Sequence, residues 1–136
     1  MRKVLLAFVV VLMASAAFVV IDQTSEQHSR IVGAVCAAIG LPLLVLSRVH
    51  LGRAFTIAPK ATTLVTHGVY ARVPHPLYAF LDVALFGLVI ALRSRWLVLG
   101  WLALVMAHGW AARREAKVLE AAFGDAYRKY RAQTWW

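Results

Sequence analysis

VPHPLYAFLDVALFGLVIAL, residues 73 to 92, joins a rigid elbow to a nearly unbroken apolar run, and its reading decides the architecture. Pro74 and Pro76 fix their own φ and press Val73 and His75 toward extended backbone. A helix is therefore expected to begin at Pro76, a favoured first helical position. The run from Leu77 to Leu92 reads as a membrane span interrupted by one ionisable residue, Asp82. Such a helix start leaves amide donors at its mouth, where a carboxylate or phosphate is well received. The plainer reading of the same residues is a stop and turn before the span.

Outward from this stretch lie three more apolar segments. Val4 to Ile21 is uninterrupted, and Ile31 to Leu46 contains Pro42, expected to bend it. Trp96 to Ala112 places Trp96 and Trp110 where the two membrane interfaces would fall. The expected fold is all-α and polytopic, one domain over 1–136 with four transmembrane helices at about 4–21, 31–46, 77–92 and 96–112. A cytosolic loop is expected from about Ser47 to Pro76. A cytosolic helical tail is expected from Arg113 to Arg131, broken near Phe123-Gly124-Asp125 and resuming to Tyr130. Arg2-Lys3, an apolar stretch and Ala14-Ser15-Ala16 also resemble a cleavable leader, but the run continues to Ile21, which favours a span.

Composition agrees with a membrane class. Of 136 residues, 62% are hydrophobic and only 15% charged, where a soluble domain carries about 25% charged. The mean hydropathy is +0.71. The net charge of +9 would suggest nucleic acid in a soluble protein. Here the basic residues flank apolar runs, as they do in chains that meet anionic headgroups, and no nucleic acid is expected. All but three of the fifteen Lys and Arg residues fall on the side that holds the termini and the long loop; the exceptions are Arg30, Arg93 and Arg95. That bias places both termini in the cytosol. The single cysteine, Cys36, excludes an intramolecular disulfide and reads as a small buried hydrophobe. A homodimer is compatible with so small a unit, although no GxxxG pattern specifies one.

The polar residues of the spans gather at one depth. Asp82 lies just inside the cytosolic start of its span, His108 about one turn inside the end of the next, and Glu115 seven residues beyond His108 on the same helical face. With His75 at the elbow, these four are expected to converge at the cytosolic mouth. Ionisable groups at such depth usually mark a cavity or pathway. Each also has a plain structural reading: Asp82 paired with an arginine, His108 packed with one nitrogen satisfied, Glu115 an interfacial partner of nearby arginines. The histidines lack ligand-like clustering such as HxxxH, so no metal centre is expected.

The order of motifs carries a resemblance. Leu51-Gly52-Arg53-Ala54-Phe55, Leu64-Val65-Thr66-His67-Gly68-Val69-Tyr70, Val73-Pro74-His75-Pro76-Leu77-Tyr78, Glu115 with Leu119, Phe123-Gly124 and Tyr127-x-x-Tyr130 follow one another in series. This series resembles the isoprenylcysteine carboxyl methyltransferase and phospholipid methyltransferase family of integral membrane enzymes, over about Arg48 to Tyr130. The resemblance implies S-adenosyl-L-methionine as cofactor, held in a pocket open to the cytosol, and a lipid or lipophilic acceptor that enters from the bilayer. Carried over, His75, Tyr78, Gly68 and Tyr70 form the elbow side of that pocket and Glu115 the C-terminal side. Glu115, Asp82 and His108 are the candidates for proton transfer, which an amine or thiol acceptor requires and a carboxylate does not. The family's Arg-His-Pro has Pro74 in the arginine position here, and its acidic pair reads Glu115-Ala116. Other readings left open are a small-molecule thiol or amine methyltransferase, a sterol-reductase-like enzyme, and a non-catalytic membrane binding or assembly subunit.

Overall fold

The computed structural model describes residues 2–52 and 64–135. Among them the regular structure is entirely helical: α1 (Arg2–Gln23), α2 (Glu26–Leu51), a 3-10 turn at Gly68–Ala71, α3 (Pro76–Leu92), α4 (Arg95–Phe123) and α5 (Asp125–Gln133). Each apolar segment of the sequence falls within one of the first four helices. Pro42 lies inside α2 without ending it. The expected loop from Ser47 is corrected: α2 continues to Leu51, because its last turn is amphipathic, with Arg48 and His50 in it, and an apolar criterion stops short of such residues. The tail helix likewise resumes to Gln133, past Tyr130. Arg53, Ala54, Phe55 and Lys60, which entered the loop and motif readings, lie outside the described residues.

Among the described residues α2 is the one helix both long and apolar enough to cross a bilayer alone; α3 is apolar but has 17 residues. The burial pattern of α2 supports a membrane more strongly than its hydropathy does. Its buried residues are Ser29, Gly33, Gly40 and Ser47, all small, while Ile31, Val35, Ile39, Val45 and Val49 are exposed. A helix in a soluble core does the reverse. Small residues inward and branched aliphatics outward is the arrangement expected where lipid rather than water surrounds the bundle.

Small residues let the two helices touch along their backbones. The most extensive helix pairing is α2 with α3. A Cβ built on Gly33 would lie 2.5 Å from the Gly87 carbonyl oxygen, and one on Gly40 would lie 2.8 Å from the Ala84 nitrogen. On the other side of α3, α1 and α4 close a core of Ala14, Ala17, Ile21, Phe86, Val89, Ile90, Val98 and Trp101. The rings of Phe86 and Trp101 are 5.0 Å apart, and the Trp101 indole N–H donates to the Asp82 carbonyl at 2.9 Å.

The α3–α4 turn anchors the far end of the bundle. Arg93 closes α3 in the left-handed region at φ 50°. Its guanidinium donates at 2.7 Å to the Thr24 carbonyl and at 2.7 Å to the Ser29 hydroxyl, and also to the Ile21 carbonyl. One side chain thus satisfies carbonyls left open at the end of α1, the groups a helix terminus cannot pair internally. Arg95 adds a contact to Asp22 at 2.5 Å.

Candidate functional site

At the opposite end of α3 the elbow forms as the prolines dictate. His75 is the residue before the helix, at φ −131° and ψ 61°, with Pro76 in the first turn. No side chain caps this helix start, so its first amides stay available. The turn holding Tyr70 is tied down from the C-terminal side. The Tyr130 hydroxyl donates to the Tyr70 carbonyl at 2.8 Å, and the Trp135 amide donates to the Arg72 carbonyl at 2.9 Å. The tail therefore folds back on the elbow and fixes it.

Four ionisable residues picked from the sequence come together as two acid–imidazole pairs. His75 Nδ1 is 3.3 Å from Glu115 Oε2, and His108 Nδ1 is 2.8 Å from Asp82 Oδ1. Tyr78 stands between the pairs. Its ring stacks on His108 at 5.0 Å between centroids and lies 6.2 Å from that of His75. The result is a continuous ladder, Glu115–His75–Tyr78–His108–Asp82, in which α4 supplies Glu115 and His108 and α3 with its cap supplies His75, Tyr78 and Asp82. Exposure drops after the first rung: the Glu115 side chain is 38% exposed, those of His75, His108 and Asp82 only 11%, 16% and 15%. The ladder is open at Glu115 and nearly closed from His75 onward.

Among the described residues Asp82 meets not an arginine but His108, and His108 is packed with one nitrogen, Nδ1, satisfied by Asp82. A carboxylate on Nδ1 fixes the tautomer and orientation of the imidazole and leaves Nε2 to exchange a proton. Tyr70 is buried in its turn. Burial, and then the charge of Glu115, push its hydroxyl above the ordinary phenol range. Tyr130 is pushed up to about 12 by burial, with Tyr127 and Glu115 adding and Arg131 opposing. These two phenols therefore stay neutral hydrogen-bonding groups at physiological pH.

Gly68 has a different neighbour. It sits at φ 62°, and a Cβ there would lie 2.7 Å from the ring of His50. Only glycine lets the turn adopt this conformation against that imidazole. His50 was not singled out by sequence, since a histidine in the last turn of a helix reads as a favourable C-terminal residue. Tyr127, buried on α5, was picked out only as part of the Tyr127-x-x-Tyr130 motif and given no role, and Arg93 was missed as an anchor because nothing local distinguishes its targets. No group of three or more His, Cys, Asp or Glu suited to a metal ion occurs among the described residues.

An all-helical membrane protein with paired acids and imidazoles beside a proline elbow at one end of its helices is the class this geometry defines. A family model described as phospholipid methyltransferase matches residues 28–126, and the chain belongs to that family. The matched region begins in α2 and contains every rung of the ladder. No curated protein and no solved structure matches the chain.

Proposed function

We propose that this methyltransferase-family protein transfers a methyl group from S-adenosyl-L-methionine to a lipid or lipophilic acceptor at the cytosolic face of a membrane. The observation that carries the reading is the ladder, which gathers an open carboxylate, two imidazoles and a phenol ring at one end of apolar helices. In this reading four helices span the bilayer, and the excess of basic residues in the termini and central loop keeps that end in the cytosol.

The donor set fits the cofactor's chemistry. Glu115, the exposed rung, suits an ammonium or ribose hydroxyls, and the uncapped amides of α3 suit a carboxylate. The face of Tyr78 suits a cationic sulfonium. When bound, the cofactor supplies an already activated methyl group, so the protein's work is alignment of the reacting atoms. His75 and Glu115 hold the cofactor side. Asp82 orients His108 through Nδ1, and His108 is placed to take the proton that an amine or thiol acceptor must lose before it attacks. A carboxylate acceptor leaves His108 no such task. The apolar exterior of α2 to α4 keeps water from the acceptor's path.

The test is transfer of labelled methyl from S-adenosylmethionine into the lipid fraction by the protein in liposomes, together with binding of S-adenosylhomocysteine. Label in lipid that Glu115→Gln abolishes supports the reading. A folded protein that neither binds millimolar S-adenosylhomocysteine nor labels lipid overturns it.

A further inference from the structure

Two buried side-chain polar atoms have no hydrogen-bond partner among the described residues: Nδ1 of His50 and the hydroxyl of Tyr127. Neither belongs to the ladder. Buried polar atoms are paired almost without exception, because an orphaned one forfeits its bonds to water. Tyr127 is only 3% exposed, so the cost applies to it in full. Two orphans in one small protein therefore call for an occupant.

Both orphans lie on elements that pack against the same four-residue turn. From α2, the His50 ring closes on Gly68, where a Cβ would lie 2.7 Å from it. From α5, Tyr130 donates to the Tyr70 carbonyl at 2.8 Å, and the Tyr127 ring lies 6.1 Å from that of Tyr130. The charge of Glu115 acts on the hydroxyls of both Tyr70 and Tyr127, so the same carboxylate is within electrostatic reach of the turn and of the orphan on α5. The turn is thus bordered by one unpaired imidazole nitrogen, one unpaired phenol and the open end of the ladder.

We propose that the Tyr127 hydroxyl and His50 Nδ1 are hydrogen-bond partners of the bound S-adenosyl nucleoside, presented by α5 and α2 at the Gly68–Ala71 turn. The assignment rests on the cofactor reading above and adds two residues to it. A phenol donates and accepts, and an imidazole nitrogen does either according to tautomer. Ribose hydroxyls and adenine nitrogens offer the matching mixture of donors and acceptors, without a charge to be buried. The hydrocarbon part of a lipid acceptor offers neither. A trapped water would also satisfy such atoms, but it would do so equally with and without ligand, which separates the two.

The experiment is calorimetric titration of S-adenosylhomocysteine into the full-length protein in nanodiscs, with melting of the ligand-free protein alongside. Tyr127→Phe removes one oxygen and His50→Phe keeps a ring of similar shape. Each is expected to weaken binding roughly five- to tenfold, the loss of one good hydrogen bond. Ligand-free melting of Tyr127→Phe is expected at or above the wild-type temperature, because an unpaired buried hydroxyl has been removed. His50→Asn, which returns a polar atom near the position of Nδ1, is expected to recover part of the affinity and provides the test if the phenylalanine variant does not fold. Wild-type affinity in Tyr127→Phe, or in the folded His50 variants, overturns the assignment of that residue while leaving the cofactor reading intact. A wild-type protein that does not bind at all overturns both.

Discussion

The two ends of α3 are built from the same kinds of residues to opposite effect. At the Leu92 end, Arg93 spends its donors on Ile21, Thr24 and Ser29, and Ser29 is wholly buried. At the Pro76 end, His75 meets a Glu115 that is still 38% exposed, the first turn has no side-chain cap, and His50 and Tyr127 keep unpaired atoms nearby. One end is closed upon itself, whereas the other has hydrogen-bonding capacity left over. Charge alone does not distinguish structural from functional clusters, since both ends are charged. The unspent capacity does.

The sharpest way to break this contrast is at the closed end. Arg93→Ala leaves the end of α1 and Ser29 without their charged donor, and it keeps a left-handed backbone that alanine tolerates poorly. The expected loss is at least about 4 kcal/mol of stability, since three bonds to a charged group contribute about 1.5–3 kcal/mol each. It should be read as a fall in melting temperature in nanodiscs. Whatever fraction stays folded should bind S-adenosylhomocysteine with wild-type affinity. A matching loss of affinity would show that the two ends are not independent.

The seam between them is the next test. Gly33→Ala puts a methyl 2.5 Å from the Gly87 carbonyl oxygen, a backbone atom that cannot turn aside. Overpacking of this kind costs about 1–3 kcal/mol. The substitution should lower the melting temperature and, if the helices separate, weaken the ladder too, because α3 and its cap carry His75, Tyr78 and Asp82. Gly100→Ala serves as a control, since a Cβ there meets nothing within 4 Å. Equal effects at both glycines would mean that the close approach of α2 and α3 contributes little.

At the open end the expected signature reverses. Glu115→Gln should leave melting of the ligand-free protein nearly unchanged, because this carboxylate is the exposed rung. It should weaken S-adenosylhomocysteine binding by about 1.5–3 kcal/mol, the range for a hydrogen bond to a charged group. Substantial destabilisation with unchanged affinity would make Glu115 a structural partner of His75 and would remove the contrast between the ends.

How much of this was legible in the sequence follows from the same distinction. Hydropathy locates the helices because each apolar run must be covered by something, and the two prolines locate the elbow because they act on their own backbone. Asp82, His108 and Glu115 were found by helical spacing and depth, both local properties. The partners of Arg93 lie some seventy residues away on α1, on α2 and in the link between them, and no local rule points to them. The glycine seam escaped for a related reason. Gly33 and Gly40 are spaced by seven rather than four, and Gly87 stands alone until α3 is laid across them. His50, and the unpaired hydroxyl of the motif residue Tyr127, became visible only as absences, atoms whose partners had to be sought in three dimensions before they could be found missing.

The smallest effect sharpens the description of how the tail fixes the elbow. Tyr130→Phe removes the bond to the Tyr70 carbonyl, a neutral bond of about 1 kcal/mol at pH 8. In the folded protein the Tyr130 hydroxyl is raised to about 12 by burial and by Tyr127 and Glu115, against about 10 when unfolded. Between those values the folded state holds the proton and the unfolded state gives up part of it. Deprotonation therefore draws the wild type toward unfolding as pH rises, and the contribution of the neutral phenol, intact below pH 10, is lost on passing through about 12. A raised value of two units corresponds to about 2.7 kcal/mol once both states are ionised. The advantage of wild type over Tyr130→Phe should thus shrink above pH 10, vanish at about pH 11 and change sign beyond it. Urea unfolding of both proteins at pH 8, 10 and 11 measures this. A gap that stays constant across that range would mean that the phenol titrates normally and that α5 opens without exposing a buried group.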